Sequence, residues 1–368
     1  MKIIPGKKIF LVILAFVIFQ FQTVSYAQSF DQKIDSLLQV KYQPASPGAV
    51  FLIAQKGKML YKKAFGLANL ELNVDMKPDH IFEIGSITKQ FTAVSILMLV
   101  EKGKLNLQDE ITKFIPDYPA HGKKITVHHL LTHTSGIKDY TKMKALNDIS
   151  QNDLTPLELI DFFKNEPMDF DPGEQFKYCN SGYVILGYII ESLSGQSYAG
   201  FVEDNIFKKA GMMSSFYANS GQLIKNRVSG YHKKDSYVNA RHISFTLTYA
   251  AGSLMSNADD MLTWQNALSN NLLVNENTIN QAFANYKLNN GNHINYGYGW
   301  FIKDINGIPD REHGGSIFGF KSMAVYLPGE DIYVIGLNNC DCNSPTEITK
   351  QIASLALENS MKSENRRN

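Results

Sequence analysis

Three short segments of this chain hold side chains whose types and spacing could carry out acyl transfer. The first is Gly85-Ser86-Ile87-Thr88-Lys89. Ser and Lys at i and i+3 of a helix share one face, within reach of each other. At a helix N-terminus the Ser86 hydroxyl would sit in the positive end of the macrodipole, which favours an alkoxide-like nucleophile. A neutral or proton-sharing Lys89 could then take the hydroxyl proton, which activates serine without histidine. The bland alternative is a capping Ser86 followed by a solvated Lys89, and an isolated Ser-x-x-Lys is usually that.

The second segment is Tyr178-Cys179-Asn180, after the turn Asp171-Pro172-Gly173-Glu174 and just before a helix. Residues two apart in an extended segment point the same way, so the phenol and the carboxamide can address one cleft. Tyr178 could exchange a proton with Lys89 or the leaving group, and Asn180 could hold Lys89 and a substrate carbonyl. Structurally they could instead be a core aromatic and a helix cap. The third segment, His313-Gly314-Gly315-Ser316, is expected to enter a strand. Its glycines leave the backbone bare, so a substrate can lie along the strand edge. The Ser316 and Ser86 N–H groups could form an oxyanion hole. His313 could equally be a satisfied histidine at a strand end.

In this order the three segments resemble the serine β-lactamase, DD-peptidase and family VIII esterase superfamily. In the class A enzymes the set is S-x-x-K, S-D-N and K-T-G. Here the middle element is Tyr-x-Asn, which resembles the class C-like branch. The stretch Leu130-Leu131-Thr132-His133-Thr134-Ser135-Gly136-Ile137 resembles a loop of that branch. So do Pro172-Gly173-Glu174 ahead of Tyr178, and Gly314-Gly315 followed by Gly319-Phe320. The likeness runs from about Gly48 to Asn338. It implies Ser86 as nucleophile, Lys89 and Tyr178 as the proton-handling pair, Asn180 as an orienter and His313 in the third-motif position. Two departures stand out. Cys179 replaces a common Ser, with its side chain expected to point away. His313 replaces the Lys of K-T-G, and a neutral imidazole attracts a substrate carboxylate less than a permanent cation does. Arg311 is a nearby candidate for supplying charge.

The expected activity is two-step acyl transfer through a Ser86 acyl-enzyme, with no metal and no organic cofactor. A D-amino-acid peptide, such as one derived from peptidoglycan, or a small ester is favoured as substrate over a β-lactam. A class C-like β-lactamase is the alternative enzyme, and a penicillin-binding sensor without turnover is the alternative of another class. There is no G-x-S-x-G elbow for an α/β-hydrolase. His129 and His133, with His121 and His128 nearby, lack the H-E-x-x-H pattern and read as structural. Trp264, Tyr296 and Tyr298 read as core or cleft wall.

The elements that must position these residues follow from periodicity and punctuation. Apolar residues at helical spacing mark Asp31 to Val40. Ala49 to Ala54 and Met59 to Phe65, split by Lys56-Gly57, predict a hairpin. A long helix should start near Ser86 and end before Gly103. Thr155-Pro156-Leu157-Glu158 is a capping box. Helices are expected over Asn180 to Ser194 and Tyr198 to Ala210, and from the Asn257 cap to about Leu268. Tyr296 to Ile302, Phe318 to Leu327 and Ile332 to Leu337 predict strands, the last two joined by a turn at Pro328-Gly329-Glu330-Asp331. Pro345 to Leu357 predicts a final helix. The fold class is therefore α/β of the α+β type. It comprises an antiparallel sheet built from both chain ends with flanking helices, plus an inserted, mostly helical lobe, and the cleft between them is the default site.

The bulk properties bound the compartment and partners. The chain has 368 residues, 44% hydrophobic and 19% charged, with a net charge of +1. That is a globular balance, and it points to neither nucleic acid nor an anionic membrane surface. Lys2, Lys7 and Lys8 precede the apolar run Ile9 to Phe19, and Ser25-Tyr26-Ala27 suggests cleavage before Gln28. That run falls short of the ~20 apolar residues a span needs, so a periplasmic or secreted protein without stable membrane insertion is expected. Residues 1–27 would be the leader and 28–368 one catalytic domain. Its sheet lobe would cover about 28–90 and 245–368, and its helical lobe about 91–244. Cys179, Cys340 and Cys342 do not make a disulfide scaffold, and Cys340 and Cys342 are expected to stay unbridged for want of room.

Overall fold

The hairpin foreseen near the start forms from Ala49–Gln55 (β1) and Lys58–Phe65 (β2). It joins four strands from the other end of the chain: Phe301–Ile305 (β3), Ile308–Ile317 (β4), Phe320–Leu327 (β5) and Ile332–Asn338 (β6). The order is β3-β4-β5-β6-β1-β2, antiparallel throughout, and β1 lies against β6 with Ala49 opposite Asn338. Both chain ends thus meet in the middle of one sheet. The computed structural model describes residues 28–365, so the leader expected at 1–27 lies outside the described residues.

The pleat explains why β1 and β6 read as unbroken apolar runs. Successive side chains point to opposite faces, and both faces are covered. Val50, Leu52 and Ala54 enter the larger core, while Ala49, Phe51 and Ile53 enter a second one. The second core is closed by Ile34 and Leu38 of the helix Phe30–Lys41 and by Ile348 and Ile352 of the helix Thr346–Asn365. The larger core holds the helical insertion. Its central helix, Thr88–Glu101, is buried at every position from Thr88 to Leu99. A helix wrapped on all sides needs no polar face, and a lysine on it is forced out of water. The helices Asn180–Ser194 and Phe245–Gly252 pack against it and against each other.

Several elements differ from the sequence reading. Only Phe301 and Ile302 of the expected strand Tyr296 to Ile302 are extended in the sheet; the preceding residues form an irregular wall in which Tyr296 and Tyr298 are buried. His313-Gly314-Gly315-Ser316 is in a strand as expected, but that strand, β4, begins already at Ile308 and the segment is its second half. The helix expected over Tyr198 to Ala210 passes through a π-helical turn at Glu203–Phe207. Cys340 and Cys342 are bridged, contrary to expectation: their Cα atoms are 5.1 Å apart, within the usual range for a disulfide. The turn after β6 holds the two Cα atoms closer than the ~6.6 Å of an extended pair two residues apart, within reach of a bridge.

Candidate active site

Ser86 lies in a short 3-10 turn, Gly85–Ile87, that runs directly into the helix Thr88–Glu101. Gly85 has φ +53°, and a Cβ there would stand 2.9 Å from the Ser316 nitrogen. Only glycine both adopts this turn and lets the Ser86 backbone close on β4. From the other side, a Cβ on Gly315 would stand 2.0 Å from the Ile84 carbonyl oxygen. The buried Ser322 hydroxyl of β5 donates to the same carbonyl at 2.8 Å, pinning the turn to the sheet.

Lys89 is fully buried, the second residue of the helix and one turn on from Ser86. Its Nζ lies 3.1 Å from Ser86 Oγ, 2.9 Å from Asn180 Oδ1 and 2.8 Å from the Ala251 carbonyl oxygen. Burial pushes its pKa down to about 7, against the opposing pull of Asp139 and Cys179. A neutral amine in this tripod donates its two hydrogens to Asn180 and Ala251, and its lone pair faces Ser86 Oγ. That is the geometry of a general base. The Ala251 carbonyl was not foreseen. It is presented by a backbone distortion at Tyr249, whose φ of +37° and ψ of −131° lie far outside the favoured regions for a bulky residue.

Asn180 opens the helix Asn180–Ser194. With Oδ1 taken by Lys89, its amide nitrogen sits 3.4 Å from the Asp139 carboxylate and 3.3 Å from Thr141 Oγ1. Asp139, buried and absent from the sequence reading, thus both orients Asn180 and lifts the Lys89 pKa. The ring of Tyr178 lies 4.8 Å below Lys89 Nζ, a cation–π distance. Its hydroxyl is buried and makes no hydrogen bond of ordinary geometry, although Ser86 is near enough to offset part of the rise that burial imposes on its pKa. Tyr178 therefore stands beside the serine as a protonated phenol. The Cys179 thiol points away from the site, to the Ile137 carbonyl oxygen.

His313 is 1% exposed, and protein groups occupy both of its nitrogens. The hydrogen bonds form an ordered chain. The Cys179 N–H donates to His133 Nδ1 at 3.1 Å, so the neutral His133 ring carries its proton on Nε2. That nitrogen donates to the Tyr296 hydroxyl at 3.2 Å, which donates to His313 Nε2 at 3.1 Å. His313 Nδ1 then donates to the Gly314 carbonyl oxygen at 2.7 Å. Burial, followed by the nearby Lys89, holds the His313 pKa down to about 3 and that of His133 well below its ordinary value. His313 brings no positive charge to the cleft. Nor does Arg311, whose guanidinium stacks 3.8 Å over Phe283 in a different part of the molecule.

The β4 edge carries the remaining candidates. β3 pairs with β4 only as far as Glu312, so Gly314, Gly315 and Ser316 are paired on the β5 side alone. Their other edge faces the Ser86 turn. Between the edge and the insertion lies a cavity of about 350 Å³, lined by Ser86, Asn180, Ser316, Tyr140, Ile243, Phe318 and Asp341 among others. The histidines weighed as metal ligands serve the scaffold. His129 caps its own short helix and His128 bonds the Tyr298 hydroxyl at 2.8 Å. Among the described residues no group of three His, Cys, Asp or Glu is placed to hold a metal ion.

Residues 30–356 match the family model described as Beta-lactamase. Penicillin-binding protein 4* of Bacillus subtilis is 32% identical over 293 residues, covering 74% of this chain and 64% of that protein. This chain thus spans less than two thirds of that relative's length. The octameric penicillin-binding protein homologue from Pyrococcus abyssi superposes with a TM-score of 0.79 at 31% identity, covering 89% of this chain and 77% of the other. A D-amino acid amidase from Ochrobactrum anthropi SV3 shares the fold, with a TM-score of 0.77 at 23% identity over 91% of this chain and 99% of its own. A match running from the first described helix into the last, over a sheet that joins both chain ends beside a buried Ser-x-x-Lys turn, places this chain in the β-lactamase family.

Proposed function

We propose that this protein is an exported serine hydrolase that cleaves an amide or ester through a Ser86 acyl-enzyme, its catalytic domain spanning residues 28–368 after removal of the leader 1–27. One observation carries the reading: the buried Lys89 amine is held by Asn180 and Ala251 with its third direction on Ser86 Oγ. In the proposed cycle the Lys89 lone pair takes the Ser86 proton as Oγ attacks the carbonyl carbon. The oxyanion forms between the Ser86 and Ser316 N–H groups. Lys89 or Tyr178 returns the proton to the leaving nitrogen or oxygen. Water then attacks the acyl-enzyme, with the same pair moving its proton. Tyr178, as a phenol, acts by donating and relaying rather than as a phenolate base.

A D-amino-acid peptide or a small ester is the proposed substrate class, ahead of a β-lactam. With His313 neutral and Arg311 turned elsewhere, the cleft lacks the cation that a penicillin carboxylate would seek.

The test is intact mass of the mature protein and of Ser86→Ala, minutes and hours after mixing with a short-chain p-nitrophenyl ester or a penicillin. A Ser86-dependent ester adduct that forms and clears with product release is expected. A penicillin adduct that never clears would favour a penicillin-binding peptidase, or a sensor if the ester adduct also persists. Equal ester hydrolysis by Ser86→Ala would overturn the mechanism.

A further inference from the structure

We infer that Asp341 sets the substrate charge this cleft accepts, selecting substrates that carry an ammonium group near the scissile bond and rejecting those that carry a carboxylate. The inference rests on the serine-hydrolase reading above and specifies its substrate.

Asp341 follows β6 and lines the same cavity as Ser86 and Ser316. Among the described residues, no Lys, Arg or His lines that cavity, and Asp341 supplies its one carboxylate. Its hydrogen bonds gather on one oxygen. The Arg241 backbone N–H donates to His232 Nε2 at 3.1 Å, which leaves Nδ1 as the nitrogen that donates to Asp341 Oδ2. The Gly319 N–H approaches the same oxygen at 3.4 Å. Both partners use Oδ2. Oδ1 therefore remains for a ligand, on a side chain 29% exposed to solvent.

The backbone of Asp341 is as constrained as its carboxylate. The Cys340–Cys342 disulfide closes around it, and its N–H donates to the Tyr231 carbonyl oxygen at 3.2 Å. A carboxylate held in place before substrate arrives loses little freedom on binding, which is what makes a charge discriminating. Lys89 lies behind Ser86, its Nζ 3.1 Å from the serine Oγ. Two arginines line a neighbouring cavity, across Ile243 and Phe318, which line both. There the Arg241 guanidinium is turned to Asn147 and Ser150, and Arg227 to Glu83.

The experiment uses three p-nitrophenyl esters of equal chain length ending in an ammonium, a methyl or a carboxylate. They are compared by kcat/KM in the wild type, Asp341→Asn, Asp341→Lys and Ser86→Ala. The wild type should rank ammonium over methyl over carboxylate. The ammonium-to-methyl ratio should fall by up to about fivefold in Asp341→Asn, as expected for loss of one partly exposed charge pair, and the order should reverse in Asp341→Lys. In the wild type, added salt should narrow the ratio, a reading that needs no variant to fold. A wild type that prefers the carboxylate, or a ratio indifferent to both salt and Asp341→Asn, overturns the inference and leaves the hydrolase reading intact. Hydrolysis surviving in Ser86→Ala overturns the hydrolase reading, whatever the ratios.

Discussion

Ser86 acylation is expected to rise with pH along one limb centred on the pKa of Lys89, about 7. Only the unprotonated amine can accept the serine proton. One pH unit below the midpoint about a tenth of the molecules are competent, so kcat/KM should fall about tenfold per unit there and flatten above the midpoint. Lys89→Arg keeps a cation but removes the base. It should lower kcat/KM by about 10²–10⁴ and abolish the limb. Asp139→Asn removes the carboxylate that lifts the Lys89 pKa, so the midpoint should move to lower pH. The same displacement has a stability consequence. Between the unfolded value of 10.5 and the folded value of about 7 the unfolded chain binds more protons, so stability falls as pH drops through that window. At pH 7 the cost to the fold approaches about 5 kcal/mol as an upper bound, and Lys89→Met should recover part of it as a raised melting temperature. The assay is ester hydrolysis across about pH 5 to 9, beside thermal melts. A limb that persists in Lys89→Arg, or a wild-type midpoint near the ordinary lysine value, would refute the reasoning.

Three further outcomes follow from other parts of the molecule. Asp310 is 1% exposed with neither carboxyl oxygen hydrogen-bonded, and burial followed by Glu312 raises its pKa to about 6. Its burden is absent below the unfolded value and complete above about pH 6. Asp310→Asn should therefore stabilise the protein by up to about 3 kcal/mol at pH 8, with the gain shrinking toward pH 4, and a lower melting temperature at both would refute this. Gly315→Ala forces a methyl to within 2.0 Å of the Ile84 carbonyl oxygen. It should displace the Ser86 turn and cost about a hundredfold in acylation, read by the rate of ester-adduct formation; near-normal acylation would show that the contact is slack. In thiol alkylation of the mature protein, denatured chain without reductant should take one label, on Cys179, and reduced chain three. Three labels without reductant would rule out the Cys340–Cys342 bridge.

Much of the framework was legible because it rests on short-range rules. The Thr155 capping box and the start of the helix at Asn180 with its end at Ser194 lie where the residues placed them. So does the hairpin around Lys56-Gly57. Each is decided by neighbours within a few positions. The strand Ile308–Ile317 was harder to read, because Asp310 and Glu312 break the apolar alternation. Both carboxylates are buried under the sheet, and Lys303 and Lys350 meet Glu312 there, a pairing that needs the last helix and β3 to be in place.

The candidate site divides the same way. Ser86 and Lys89 share a helix face by spacing alone, and Tyr178 and Asn180 share a cleft-facing segment. Sequence by itself thus determined which groups could do the chemistry. Tertiary structure decided how they are tuned. The low pKa of Lys89 comes from burial inside a helix covered on all sides, and its third partner is a backbone carbonyl, Ala251, which no side-chain pattern marks. His313 looked like a substrate contact, yet Tyr296, itself bonded to the distant His133, and the Gly314 carbonyl occupy its two nitrogens. Asp341 lines the cleft with a disulfide closed around it and His232 bonded to its carboxylate. Spacing along a chain orders only near neighbours; desolvation, proton direction and the aim of a carboxylate depend on what folds in from a distance.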